Sequence, residues 1–232
     1  MLDSVIRGGT VVDGTGSAPR QADVGIRGGR VVEIGKINDD DAAETIDADG
    51  LVVAPGFVDP HTHYDAQLFW DPAATPSNLH GVTSMIAGNC GFTLAPVAPE
   101  DADYLRRMMA KVEGMPLPAL ETGVPWSWRS FGEYLDAVDN RIGLNVGFLV
   151  GHCALRRNVM GTDAIGNEAT PEQLAAMTRL LEESIAAGGL GFSTTLSSSA
   201  PRYSSNVCQF HGTPVSSAGR GMPSTLAIMR RR

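Results

Sequence analysis

The chain has 232 residues, of which 26 are acidic and 18 are basic, so its formal net charge is −8. A chain of this length can form one large domain or two small ones and is long enough to bury a hydrophobic core. The acidic balance excludes nucleic acid and anionic membrane surfaces as main partners, because phosphate binding requires a positive surface. The start of the chain has no apolar leader segment, and no apolar run approaches the length of a membrane span, so the sequence predicts a cytoplasmic protein.

Two segments of similar sequence open the chain, at residues 4–13 and 24–33. Each contains a Gly-Gly pair, at 8–9 and at 28–29, between two apolar runs, which is the pattern of a β-hairpin. A third strand is predicted near residues 45–47. Together these segments predict a small antiparallel β unit.

An uncharged run, residues 52–58, leads into two histidines, His61 and His63. Alternate side chains of an extended strand share a face, so both imidazoles are predicted to point the same way. The uncharged run predicts a strand covered on both faces, and the histidines fall at its carboxyl end, where α/β barrels carry their chemistry. This arrangement predicts a metal site. The neighbouring Asp59 and Asp65 are hydrogen-bond partners of the histidines or turn residues, and both interpretations stay open.

Cys90 closes a second predicted strand, residues 81–91. A lone cysteine is often an inert buried thiol, but this position places Cys90 at the same end of the sheet as the histidines. Imidazole and thiolate ligands together suit Zn²⁺ better than Mg²⁺ or Ca²⁺. With Cys153 and Cys208, the chain has three cysteines, too few and too scattered for a disulfide framework.

The rest of the chain alternates helices and strands. Capping-box patterns begin at Ser130 and Thr170, and the chain between 115 and 128 is predicted to be a linker. The predicted elements are a helix over 99–113, a helix from 131 to 138, a strand over 144–150, a helix from 171 to 187 and a strand over 191–196. This alternation predicts an α/β fold with four parallel βα units, half of an eight-stranded barrel. His152 follows a strand and either orients the site or has a structural hydrogen-bonding role.

The composition changes after residue 199. Residues 200–232 contain five arginines and no acid, so the remaining 18 − 5 = 13 basic and 26 acidic residues give residues 1–199 a net charge of −13. This segment also loses hydrophobic periodicity, which predicts a foreign or disordered tail. The predicted domains are therefore residues 1–54, part of a β-sandwich, residues 55–199, a partial barrel, and the tail, 200–232.

Several motifs together resemble the amidohydrolase superfamily, and most closely its N-acyl-D-amino-acid deacylase (D-aminoacylase) branch. They are Pro55-Gly56-Phe57-Val58-Asp59-Pro60-His61-Thr62-His63, Gly88-Asn89-Cys90-Gly91, Val112-Glu113-Gly114-Met115-Pro116, Val150-Gly151-His152 and Gly191-Phe192-Ser193-Thr194. The resemblance runs from about residue 4 to about residue 196. It implies the N-terminal part of a metal-dependent hydrolase (β/α)8 barrel, beside a small β-sandwich built from both ends of a longer chain.

The resemblance also implies an activity and a ligand set. His61 and His63 would hold one Zn²⁺ position, and Cys90 would lie between the two positions, in place of the modified lysine of many relatives. The family's other ligands, two histidines and the aspartate that serves as general base, lie on later strands, so no catalytic residue is predicted here and a truncated chain is expected. The number of zinc ions stays open.

Three functions are compatible with this sequence. The first is zinc-dependent hydrolysis of the amide bond of small N-acyl-D-amino acids by metal-activated water. The second is a catalytically inactive truncated fragment that binds zinc weakly at most, because four strands leave sheet edges uncovered. The third is a dihydropyrimidinase-like cyclic amidase, which is disfavoured because Cys90 stands where the lysine of that type is not expected.

Overall fold

The computed structural model describes residues 1–38 and 41–194, and the backbone of residues 226–230. The chain divides into two compact units. The first contains Met1–Val58, Pro76–Ser84 and the strand at 226–230, and the second contains Asp59–Thr75 and residues 85–194. The domain limits at 54 and 199 stay predictions, and the predicted tail lies outside the described residues except for 226–230, which forms a strand.

Two sheets organise the described strands. The strands are β1 (Leu2–Val11), β2 (Arg20–Arg27), β3 (Arg30–Gly35), β4 (Ala42–Asp47), β5 (Leu51–Pro55), β6 (Phe57–Asp59), β7 (Val82–Ala87), β8 (Asn145–Gly151), β9 (Gly191–Ser193) and β10 (Leu226–Arg230). One sheet has the order β10-β5-β1-β2-β3, with β4 also pairing with β1, and the other has the order β6-β7-β8-β9.

The first sheet is mixed, so the prediction of an antiparallel unit is wrong. Strand β1 pairs antiparallel with β2 but parallel with both β4 and β5. Its core contains apolar side chains from several strands, namely Ile6, Val11, Val24, Ala48 and Val53. The chain runs parallel to β1 in two successive strands, with β4 beside Leu2–Arg7 and β5 beside Thr10 and Val11.

The first Gly-Gly pair does not form the predicted hairpin. Strand β1 continues through it, with a register shift against β2 between Ile6 and Gly9. Gly8 adopts a φ of +67°, and its N–H group donates to Asp23 Oδ1 at 3.0 Å. The left-handed backbone that only glycine adopts easily therefore forms a bulge rather than a turn. The second pair, at Gly28, forms the predicted hairpin between β2 and β3.

The run from 52 to 58 is not one strand covered on both faces. It divides at Gly56 into β5, in the first sheet, and β6, in the second. Val53 is buried, whereas Phe57 and Val58 are 52 % and 64 % exposed. Among the described strands, β6 stands at the end of its sheet order, beside β7. The apolar run therefore joins a buried segment of one strand to an exposed segment of another.

Five α-helices accompany these strands in the described residues: α1 (Ala102–Val112), α2 (Leu117–Thr122), α3 (Phe131–Val138), α4 (His152–Met160) and α5 (Pro171–Ala186). Both predicted capping boxes are confirmed, with Ser130 and Thr170 accepting from the backbone N–H groups of Glu133 and Gln173. Helix α2 lies within the segment predicted to be a linker, so that prediction is wrong.

Helix α4 was not predicted at all. It begins directly after β8, and its buried Arg156 donates to the carbonyl oxygens of Ala164 and Asn167 at 3.0 and 2.9 Å. None of the helices in the described part of the chain combines the length and apolar character needed to cross a membrane.

Candidate metal centre

The two histidines lie in the loop that follows β6. The side chain of Thr62, between them, is buried, and both its N–H and its hydroxyl donate to the carbonyl oxygen of Ile86, at 3.0 and 2.9 Å. His61 is exposed and His63 is half-buried. The predicted alternation, in which Thr62 faces away from the two histidines, therefore holds. The structure places these three residues in a loop rather than within a strand.

Cys90 lies in a short 3₁₀ turn, Asn89–Gly91, that follows β7. The side-chain amide of Asn89 donates to the Ile86 and Thr62 carbonyl oxygens at 2.9 and 3.3 Å. The turn begins at Gly88, whose φ is +81° and where a Cβ atom would collide with the Leu149 carbonyl oxygen of β8. Glycine at this position therefore lets the cysteine-bearing turn lie directly against β8.

The structure brings the three predicted ligands together. His61 Nε2 lies 3.2 Å from Cys90 Sγ, and the rings of His61 and His63 are 5.5 Å apart between centroids, at 67°. One ligand atom from each of the three residues lies within 4.8 Å of the others. Three side chains from two separate loops thus converge on a space of the size that one ion occupies.

This donor set fits zinc. Zinc binds nitrogen at about 2.0–2.1 Å and thiolate sulfur at about 2.3 Å, so two ligands of one tetrahedral ion are separated by roughly 3.3–3.6 Å. The His61–Cys90 separation of 3.2 Å is close to that range. Two imidazoles and a thiol are also the ligand types that zinc prefers.

The electrostatics of the site favour neutral side chains before an ion binds. Burial lowers the pKa of His63. The negative charge of Glu113 opposes this decrease, and the charge of His61 lowers the pKa further. Burial also raises the pKa of the Cys90 thiol, and the Glu113 carboxylate raises it further. A neutral imidazole is ready to bind a metal, whereas the thiol must lose its proton, so binding at this site is expected to release a proton.

The two acids beside the histidines contact backbone groups. Asp59 Oδ1 accepts from the His61 N–H at 3.1 Å. Asp65 is fully buried, and its Oδ2 accepts from the Gly88 N–H at 3.3 Å. Burial raises the pKa of Asp65 to about 7. Asp59 thus stabilises the histidine loop, and Asp65 joins that loop to the cysteine-bearing turn.

His152 is not one of the three residues whose ligand atoms converge. It is the first residue of α4, its Nδ1 is 3.0 Å from Thr194 Oγ1, and its ring meets Phe192 edge-on at 5.6 Å. Burial lowers the pKa of His152, and the charge of Arg156 lowers it further. Its role in lining the site stays a prediction.

Glu113 is a site residue to which the sequence analysis gave no role. It directly follows α1, and its Oε2 lies 3.5 Å from His63 Nε2 with the side chain 14 % exposed. The signal available in the sequence was a carboxylate at a helix C-terminus, where the helix dipole disfavours it.

Comparison with known proteins agrees with this geometry. Residues 44–210, more than half of the chain, match the sequence profile of the Amidohydrolase family. The chain belongs to the amidohydrolase family. This amidohydrolase is 39 % identical over 194 residues to a D-aminoacylase from Alcaligenes xylosoxydans xylosoxydans. The match covers 83 % of this chain and 37 % of that protein.

Other relatives place this amidohydrolase in the D-aminoacylase branch. It is 39 % identical over 193 residues to an N-acyl-D-aspartate deacylase from the same organism, covering 83 % of this chain and 36 % of the relative. The chain thus spans little more than a third of the length of these curated relatives.

Solved structures confirm the predicted fold class. A solved structure of D-aminoacylase, from work on the functional role of its binuclear metal centre, matches with a TM-score of 0.69 and 37 % identity, over 84 % of this chain and 38 % of that one. An N-acyl-D-glutamate deacylase from Bordetella bronchiseptica, complexed with zinc and a phosphonate inhibitor, matches with a TM-score of 0.67 and 34 % identity, over 83 % and 38 % of the two chains. This amidohydrolase therefore combines an N-terminal β-sheet with a parallel half-barrel.

The close approach at Gly88 predicts a large stability loss on substitution. We expect Gly88→Ala to lower the free energy of unfolding by at least about 3 kcal/mol, since the left-handed backbone costs about 1–2 kcal/mol and the collision with Leu149 adds to it. Gly166→Ala is the matched control, because Gly166 has the same φ of +81° with nothing within 4 Å of its Cβ position. Urea denaturation of the metal-free proteins measures both losses, and equal losses would contradict the packing argument.

The lowered pKa of His152 predicts a pH-dependent contribution to stability. Because the pKa in the folded state lies below the unfolded value of 6.5, protonation favours the unfolded chain. The free energy of unfolding is therefore expected to fall as the pH decreases from 6.5 through the folded-state pKa, and His152→Gln should remove this part of the decrease. An NMR titration, with the resonance assigned from its loss in the variant, measures the pKa directly. A folded-state pKa at or above 6.5 would contradict this account.

Proposed function

We propose that this amidohydrolase binds Zn²⁺ through His61, His63 and Cys90 and hydrolyses the amide bond of N-acyl-D-amino acids. The observation that carries this proposal is the convergence of the three ligand atoms within 4.8 Å. Membership of the family supports the reaction class, and the donor set of two imidazoles and a thiol supports zinc as the ion.

The substrate class follows from what the similar proteins share. The names of these relatives describe a D-aminoacylase, an N-acyl-D-aspartate deacylase and an N-acyl-D-glutamate deacylase. All three act on an N-acyl group of a D-configured amino acid, while the side chain differs among them. We therefore propose the N-acyl-D-amino acid as the substrate class and leave its side chain unspecified.

The residues of the chain prepare the site for the ion. When bound, zinc polarises a substrate carbonyl and lowers the pKa of water towards neutrality, which supplies a nucleophile for amide hydrolysis. The backbone hydrogen bonds of Thr62 and the side chain of Asn89 hold the histidine loop and the cysteine-bearing turn together. Cys90 gives up its proton on binding the ion, so zinc affinity is expected to decrease as the pH is lowered. We assign the general base to none of the described residues.

The test is zinc content and amide hydrolysis by the purified 232-residue chain. We expect one or more equivalents of tightly bound zinc by elemental analysis, and amine release from N-acetyl-D-methionine but not from its L-enantiomer. His61→Ala and Cys90→Ala should each lower zinc affinity and turnover at least about a hundredfold, since each removes a ligand. His80→Ala, at an exposed histidine, and Cys153→Ala are the matched controls and should retain both properties.

The possible outcomes separate the alternative functions. Bound zinc without turnover would support the metal site and contradict the hydrolytic activity. Ring opening of dihydrouracil without cleavage of the acyl substrate would favour a cyclic amidase. A folded chain that binds no zinc would contradict the proposal as a whole.

A further inference from the structure

Glu113 occupies a position that is unfavourable for a carboxylate. It is the residue after the last turn of α1, and its N–H donates to the Met109 carbonyl oxygen at 3.0 Å. The C-terminus of a helix carries a partial negative charge, which repels an acid there. The side chain is also only 14 % exposed, and a desolvated carboxylate is costly unless a positive charge compensates it. A cation close to Glu113 would remove both costs.

The separation between Glu113 and His63 indicates where that cation would bind. Glu113 Oε2 lies 3.5 Å from His63 Nε2. This is longer than the 2.7–2.9 Å of a charge-assisted hydrogen bond. It matches the roughly 3.3–3.5 Å between a nitrogen and a carboxylate oxygen that share one tetrahedral zinc, because each lies about 2.0–2.2 Å from the ion.

From this geometry we propose that Glu113 is a further ligand of the metal centre and binds the ion on the His63 side through its carboxylate. The proposal rests on the zinc site formed by His61, His63 and Cys90. It adds a second anionic ligand to the thiolate, so that the two protein charges balance the charge of a Zn²⁺ ion. Glutamate oxygen is an established zinc ligand type at about 2.0–2.2 Å.

The test compares the zinc affinity of the 232-residue chain with that of Glu113→Gln, which keeps the shape of the side chain and removes its charge. Competition with a chromophoric chelator measures the affinity, and we expect a loss of at least about tenfold in the variant. Glu182→Gln is the matched control, because Glu182 is exposed on α5, and its affinity should be unchanged. The visible spectrum of the Co²⁺-loaded proteins should shift in Glu113→Gln only.

A double-mutant cycle with His63→Gln separates a ligand from a residue that acts through His63. If Glu113 binds the ion itself, Glu113→Gln lowers the zinc affinity and shifts the Co²⁺ spectrum in the His63→Gln background as well. If neither changes in that background, Glu113 only positions His63, and the proposal is wrong. Circular dichroism of the metal-free variants checks that each is folded.

Failure of this proposal is distinguishable from failure of the proposed function. If the unsubstituted chain binds no zinc, the zinc site itself is contradicted. If the unsubstituted chain binds zinc and Glu113→Gln binds it equally well, the three-residue site stands and the role of Glu113 is contradicted.

Discussion

The geometry of the metal centre depends on one carbonyl oxygen at the end of β7. The oxygen of Ile86 accepts from the N–H and the hydroxyl of Thr62 and from the side-chain amide of Asn89, all at 2.9–3.0 Å. Thr62 separates the two histidines, and Asn89 precedes the cysteine. This single acceptor therefore fixes the two ligand-bearing loops relative to each other. Thr62 and Asn89 are buried, and leaving a buried polar group without a hydrogen bond would be costly.

The same packing prepares the chemistry of the ligands. Gly88 allows the cysteine-bearing turn to lie on β8, and the buried Asp65 accepts from its N–H. Burial lowers the pKa of His63 and raises that of Cys90. The centre thus presents a neutral imidazole and a protonated thiol until a cation arrives. The nearby Glu113 carboxylate makes a divalent ion still more favourable, because the helix dipole at the C-terminus of α1 opposes its negative charge.

Local sequence patterns predicted those parts of the structure that local interactions determine. The capping boxes at Ser130 and Thr170 predicted helix starts, since each box closes within four residues. The spacing of His61 and His63 and the position of Cys90 predicted three residues that the structure brings together. The capping boxes and the histidine pair depend on neighbouring backbone geometry alone, whereas Cys90 meets the histidines because β6 lies beside β7 in the sheet.

Other features depend on residues distant in sequence, so local patterns could not reveal them. The Gly8 bulge depends on Asp23 of the neighbouring strand, and the division at Gly56 depends on two different sheets. Helix α4 is accompanied by hydrogen bonds from Arg156 to carbonyl oxygens 8 and 11 positions further along the chain, beyond the reach of a helical pattern. Glu113 approaches His63 across 50 positions of the chain, and only the path of α1 brings it there.

The central claim is that His61, His63 and Cys90 bind one zinc ion. X-ray absorption spectroscopy at the zinc edge, on the 232-residue chain loaded with one equivalent of zinc, tests it most directly. The account predicts one sulfur at about 2.3 Å and at least two imidazole nitrogens at about 2.0–2.1 Å, with the sulfur shell lost in Cys90→Ala. A spectrum of the unsubstituted chain with oxygen and nitrogen ligands but no sulfur would contradict it.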